Sequence, residues 1–470
     1  MISIWDGFRL DADRCFGRDW TVTEADFEAY DAQIRQAAAD VTRLRETGCG
    51  TRAGEEVLFP HLPYLLEEKR LITDEELRDM DALAARCRGD FDAVLSVGIG
   101  GSYLGNQVLF DACCGPYWNL RTPEERGGRP QVFFAGQTAD PEALASLLRH
   151  LRSQAEKKDG PYRVLTLVIS KSGTTIEPSG ALSVLEAELP TFCGEACFAA
   201  VTDQKKGRLL EDCRKKGWLH FVVPEGVGGR FSVFSQVGIV FAALLDLEYK
   251  EFLRGAQRTE AACRSEDWRT NPALFLAAVK YIATVRHGVT AEITMPYSSR
   301  LRSLGAWYAQ LLGESLGKRE TVRGGLAYGG RTPVCAVGTT DMHSLTQEHQ
   351  EGQRNKLLQF IAVDEPAADL TVRLEEGGRP CAVLMSHVLR AALEANAEAL
   401  ASDRRMSCCL SIRRLDLQHL GGLMYFFFLT IAYEGAMAGI DAYDQPGVEG
   451  YKKLLHQDLA RYAAPAAGEA

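Results

Sequence analysis

VLTLVISKSGTTIEP, residues 164–178, is the stretch from which the fold can be read. Val164 to Ile169 is an apolar run interrupted only by Thr166, with β-branched residues at Val164, Thr166, Val168 and Ile169. That is the pattern of a strand buried on both faces of a parallel sheet. It empties into Ser170, Lys171, Ser172, Gly173, Thr174 and Thr175, and a helical pattern follows. Free N–H groups, hydroxyl donors and the positive end of a helix converge at such a junction, and its natural occupant is a phosphate. Capping the helix needs one hydroxyl. Four, with a lysine and a glycine among them, exceed that need.

Working outward, the same grammar recurs. AVLSVGIGGSYLGNQ, residues 93–107, is an apolar strand followed by Gly98, Gly100, Gly101 and Ser102 and then a helix. It lacks the third glycine of a dinucleotide fingerprint, so NAD is not expected. Strands are also predicted at 132–138, 197–203 and 219–226, alternating with helices, which makes this half an α/β unit with a mainly parallel sheet. A second unit with strands near 289–299, 334–344 and 358–366 repeats the arrangement with different residues. Ligands in such sheets sit beyond the carboxyl ends of the strands, and a cleft between two units is the expected catalytic place. The expected division is a helical segment over 1–90, a first α/β domain over 91–248, a helical connector over 249–285, a second α/β domain over 286–440 and a helical segment over 441–470.

Composition narrows the function. A chain of 470 residues is long enough for two or three domains. The net charge of −10 disfavours a general attraction to nucleic acid or membrane, so an anionic substrate must meet local positive charge. Thirteen cysteines without CxxC spacing read as reduced thiols of a cytoplasmic protein, with no zinc pattern. The first fifteen residues lack the basic start and apolar run of a signal peptide. Residues 420–440 are apolar but carry Glu434 and four glycines, and a buried core helix is expected there rather than a membrane span.

Several positions suit chemistry. Arg230 stands in VGGRFSVFSQVG, where glycines expose backbone beside it and an apolar helix follows, so a ligand-facing guanidinium is favoured over a surface salt bridge. Glu314 lies near the end of a helix in WYAQLLGESLGK. Spacing alone favours a solvated carboxylate paired with Lys318 at i, i+4. His343, at a strand end in GTTDMHS, suits either proton transfer or a structural role. His349 is expected on an exposed helix, and the two histidines lack the spacing of helical metal ligands. Nothing local lifts Lys452 or Lys453 above a solvated helix.

Taken together, GIGGSYLG (98–105), SKSGTTIEP (170–178), GGRFSVFSQVG (228–238), WYAQLLGESLGK (307–318), GTTDMHS (338–344) and DQPGVEGYK (444–452) resemble the glucose-6-phosphate isomerase family, with six blocks in the family's order. The resemblance implies two SIS-type parallel-sheet domains flanked by helices, with helical N- and C-terminal extensions. It also implies a cytoplasmic homodimer whose active site is shared between subunits, with no cofactor and no metal. The implied reaction interconverts glucose 6-phosphate and fructose 6-phosphate through a cis-enediolate. Ser170, Lys171, Ser172 and Thr175 should then hold the phosphate, Gly101 and Ser102 line the same pocket, and Gln445 contact the sugar. Glu314 should be the base and Arg230 the cation for the enediolate, while His343 and Lys452 assist ring opening. Gly450 departs from the pattern and loosens the turn before Lys452. A sugar-phosphate-binding regulator with SIS domains would keep the loops near Ser102 and Ser170 but need neither Glu314 nor Arg230.

Overall fold

The structure, a computed structural model, describes residues 1–52, 54–68 and 71–462. The last eight positions of the expected C-terminal helical segment lie outside the described residues. In chain order the strands are β1 (Ile2–Trp5), β2 (Phe8–Arg14), β3 (Ala93–Val97), β4 (Gln131–Ala135), β5 (Arg163–Ile169), β6 (Glu195–Thr202), β7 (Leu219–Val222), β8 (Ala291–Pro296), β9 (Thr332–Cys335), β10 (Lys356–Val363), β11 (Thr371–Glu376), β12 (Arg379–Leu384) and β13 (Met406–Ile412).

Five of them form a wholly parallel sheet in the order β4-β3-β5-β6-β7. Every residue of β3 is buried, and only the first residue of β5 is not, because helices cover both faces. The chain leaves β3 for β4 on one side and returns past it to β5 on the other. The switch point between β3 and β5 opens a crevice at their carboxyl ends, with Val97 in register with Val168. Both the glycine loop and the hydroxyl loop empty there.

The second sheet has the order β1-β2-β13-β10-β8-β9, with β13, β10, β8 and β9 parallel. Its far edge corrects the helical expectation for the first ninety residues. Residues 2–14 are an antiparallel hairpin whose second strand pairs with β13, Leu10 opposite Leu410. Phe8, Leu10 and Ala12 alternate inward, a period of two that only a strand satisfies, and Gly7 supplies the turn at φ 87°. Helices do follow, over Glu24–Ala29, Asp31–Thr47 and Asp74–Cys87, and the capping boxes of Thr23 with Asp26 and Thr73 with Glu76 start the first and third. Ile34, Val41 and Leu44 of this stretch belong to the main core.

One helix, Leu417–Met437, joins the two sheets. By length and composition it could cross a membrane, yet 94% of its apolar window is buried inside the protein. Its Phe426 packs on Phe8 of β2 at 5.6 Å, Phe427 on Tyr308 at 4.5 Å and Phe428 on Phe231 at 4.9 Å. It meets the Tyr249–Ala262 helix backbone to backbone, since a Cβ on Gly255 would sit 1.8 Å from the Gln418 carbonyl oxygen. That helix and Pro272–His287, expected as a connector, are therefore core elements, and Ala273 to Val279 are almost wholly buried. His349 is a further correction: it is 3% exposed, because it shares the inward face of the Met342–Glu351 helix with Leu345 at i, i+4.

Candidate active site

The hydroxyl loop after β5 is shaped by close approach. Gly173 has φ 70°, and a Cβ there would lie 2.3 Å from the Leu209 amide nitrogen, so the loop is pressed against the next helix. Gly173 N–H donates to Ser170 Oγ at 3.1 Å, and Thr174 donates to Ser172 Oγ from both its amide and its hydroxyl, at 3.2 and 3.0 Å. Thr175 stands at the N-cap of the Ile176–Glu188 helix without a side-chain capping bond. Ser170 is buried, while Lys171, Ser172, Thr174 and Thr175 are exposed. The result is an open rim of hydroxyls and first-turn N–H groups, suited to an anion.

The glycine loop after β3 lies between this rim and the rest of the site. A Cβ on Gly98 would be 3.2 Å from the Ile169 carbonyl oxygen, one on Gly100 would be 3.0 Å from Gln310 Nε2, and one on Gly101 would be 2.0 Å from the Gly229 carbonyl oxygen. Gln310 Nε2 in turn donates to Glu314 Oε1 at 3.0 Å. From Gly98 to Gly100 the chain spans at most about 7 Å. The rim and Glu314 are thus held on opposite sides of one short loop. A cleft of about 160 Å³ beside it is lined by Lys171, Gly228, Phe231 and Tyr443, together with Glu55 and Glu56.

Arg230 is the hub. It is 2% exposed and uses its whole guanidinium: Nε donates to Ser315 Oγ at 2.7 Å, and Nη1 donates to Gln445 Oε1 at 2.9 Å and Glu314 Oε2 at 3.3 Å. Nη2 donates to the carbonyls of Ala442 at 2.6 Å and Asp444 at 3.0 Å. Burial pulls its pKa down and the charge of Glu314 opposes that. Lys318 sits beside it, its pKa also lowered by burial and by Arg230. The expectation that Lys318 pairs with the Glu314 carboxylate is corrected here. Its Nζ donates instead to the Glu314 backbone carbonyl at 2.6 Å and the Asp444 carbonyl at 2.5 Å. The helix folds that way because its last turn leaves carbonyls in need of donors. The Glu314 carboxylate is left for Arg230 and Gln310, and its side chain remains 30% exposed.

The fold therefore gathers Gly101, Ser102, Arg230, Glu314 and Gln445 around the switch point that also receives the Ser170–Thr175 loop. It does not bring His343 or Lys452 to them within one chain. His343 is exposed in the first turn of its helix, with no side-chain partner among the described residues. Lys452 lies on the Glu449–Tyr462 helix, which buries no residue, and its Nζ pairs with Glu449 at 2.9 Å. Sequence reasoning missed Gln310, Ser315 and Asp444. Gln310 carried a readable signal, standing one turn before Glu314 at i, i+4. The Ala442 and Asp444 carbonyls carried none, because any residue supplies one.

Comparison with known proteins gives the chain relatives in both sequence and fold. A family model described as phosphoglucose isomerase matches residues 82–465. The glucose-6-phosphate isomerase of Lacticaseibacillus casei (strain BL23) is 36% identical over 434 residues, 90% of this chain and 91% of that protein. The one from Carboxydothermus hydrogenoformans is 33% identical over 450 residues, 93% of this chain and 91% of that protein. The crystal structure of a glucose-6-phosphate isomerase from Chlamydia trachomatis D/UW-3/Cx shares the fold, with a TM-score of 0.79 at 23% identity over 98% of this chain and 90% of that one.

Proposed function

This chain belongs to the phosphoglucose isomerase family and interconverts glucose 6-phosphate and fructose 6-phosphate, and we propose that Glu314 moves the proton while the loop from Ser170 to Thr175 grips the phosphate. The observation that carries this assignment is the Glu314 carboxylate held against a buried guanidinium, Arg230 Nη1 at 3.3 Å. A proton α to a carbonyl is too weakly acidic for a carboxylate unless the developing oxyanion is stabilised, so base and cation must come together.

The phosphate anchors in the rim formed by Ser170, Ser172, Thr175 and the Lys171 backbone, with Gly101 and Ser102 beside it. Three or four charge-assisted hydrogen bonds at about 1.5 to 3 kcal/mol each are enough for a micromolar to millimolar ligand. Starting from glucose 6-phosphate, Glu314 takes the proton from C2, the C2–H electron pair becomes the enediolate double bond, and the carbonyl oxygen takes up negative charge that the nearby charge of Arg230 offsets. Glu314 then returns the proton to C1 while the O2 hydroxyl proton passes to O1, which makes C2 the carbonyl and C1 the alcohol, with Gln445 contacting the sugar. Ring opening moves one proton onto the ring oxygen and another off the anomeric hydroxyl. His343 and Lys452 serve that step, and the exposure of His343 supports its supply across a homodimer interface. Thirteen unpaired cysteines support a reducing, cytoplasmic setting.

Solvent exchange tests the base. In deuterium oxide the wild type incorporates label at C2, whereas Glu314→Gln incorporates none and still binds a phosphate-bearing ligand. Label entering the sugar in that variant would show that another carboxylate does the work.

A further inference from the structure

We propose that a cavity at the amino ends of β8, β10 and β13 is a second anion site that binds a small organic phosphate. The cavity measures about 220 Å³ and lies where Val289 leads into β8, Lys356 opens β10 and Met406 opens β13. The substrate crevice belongs to the first sheet and to the carboxyl ends of its strands, so the cavity is no extension of it.

Its lining is cationic in a chain whose net charge is −10. Arg354, Lys356, Arg404, Arg405 and His287 face it, together with Trp20. Lys356 has a counter-charge, Glu348 Oε1 at 2.7 Å, and His287 Nε2 lies 3.8 Å from Asp26 Oδ2. Among the described residues the three arginines have none. Arg354 and Arg404 are exposed and make no side-chain hydrogen bond or ion pair among the described residues. Arg405 is 7% exposed, and its Nη2 donates only to neutral carbonyls, Gln350 at 2.6 Å and Gly352 at 2.7 Å, while its buried Nε has no partner. A desolvated guanidinium without a carboxylate, beside two more, repels its neighbours until an anion arrives.

Arg404 adds an independent sign. Its backbone has φ 56°, the left-handed conformation in which glycine or asparagine is at home, so an arginine is kept there at a local cost. Guanidinium groups match phosphate oxygens in paired hydrogen bonds, which fixes the anionic part of the ligand. Trp20, Val289 and Met406 offer apolar wall for a carbon part. The volume suits a compact ligand.

Calorimetry on the full-length enzyme tests this. Pyrophosphate is titrated into the wild type and into Arg354→Ala/Arg404→Ala, and the two isotherms are compared. The double variant should lose one equivalent per chain, or bind that equivalent at least tenfold more weakly, with KM for fructose 6-phosphate unchanged. Both side chains are exposed, so the variant folds; a circular-dichroism melt matching wild type checks it. A parallel titration with ATP separates the sources. Tighter binding than pyrophosphate that falls on Trp20→Ala identifies a nucleotide, and equal binding identifies the phosphate groups alone. If neither probe binds the wild type, or both bind the double variant as well as the wild type, the site does not exist.

Discussion

At the scale of single residues, Gly101 shows how little freedom the site has. A methyl group there would lie 2.0 Å from the Gly229 carbonyl oxygen, next to Arg230, so Gly101→Ala must push the glycine loop and the guanidinium apart. Misplacement by about 1 Å can cost about 10²-fold in rate, and kcat/KM for fructose 6-phosphate in a coupled assay should fall by that order. For Glu314→Gln, loss of a positioned base predicts a kcat lower by about 10² to 10⁴ with ligand affinity kept. Arg230→Lys is not conservative: one ammonium cannot replace five donors aimed at five acceptors. Its kcat should drop although the positive charge remains. Of these placements, the hydroxyl rim at the end of β5 was legible because serines and threonines in excess of a cap have a chemical meaning. Glu314 was not, since its local spacing to Lys318 describes a surface pair equally well. Only the fold shows that the ammonium goes to a backbone carbonyl and the carboxylate to an arginine 84 positions away.

At the scale of elements, the helix Arg302–Leu316 that carries Glu314 is tied down at Tyr308. The tyrosine hydroxyl donates to Glu292 Oε1 at 2.8 Å and accepts from Lys280 Nζ at 2.9 Å. Arg331 bridges Glu292, at 2.9 Å from Nε, to Glu434 of the Leu417–Met437 helix. Four charges are thus buried together and balance two against two. Glu292→Gln leaves Lys280 and Arg331 short of a carboxylate and should destabilise by about 3 to 5 kcal/mol in urea unfolding. Burial pushes the Glu292 pKa up, but Lys280 and Arg331 more than reverse this and hold it at about 2. The network's support is therefore complete above the usual carboxylate value of 4.5 and is lost as pH falls through 4.5 toward 2. Urea midpoints of wild type should decline over that window more steeply than those of Glu292→Gln. Strands β3 to β8 and β10 were legible as apolar runs ending in turn residues. The β1–β2 hairpin went unread although Asp6-Gly7 is a strong hairpin signal, because the longer helical periodicity from Thr23 onward dominated the segment. The run that became β13, with Cys408 and Cys409 at its centre, lacked both alternation and a turn signal.

At the scale of the whole molecule, the two sheets share one hydrophobic core, threaded by the Leu417–Met437 helix. His343 lies on the second sheet's flank and faces solvent. If it completes a neighbour's site, Glu314→Gln and His343→Ala enzymes, each inactive alone on closed-ring substrate, should recover about a quarter of wild-type activity after mixed refolding, through heterodimers with one intact site. No recovery would show that His343 does not complete a neighbour's site. The similarity of the two α/β units was visible in the sequence grammar, but their fusion was not, since no local pattern states which helix lies between two sheets. The outer hairpin has a consequence in time. Asp6 and Arg413 pair across 407 positions of chain, and at about 5 to 20 residues per second a ribosome needs roughly 20 to 80 s to make the second after the first. Throughout that interval β2 waits with Phe8 and Leu10 unshielded and its hydrogen-bonding edge unmatched. The nascent chain is therefore at risk of sticking to its neighbours through this early-made hairpin, and chaperone capture during translation should concentrate there.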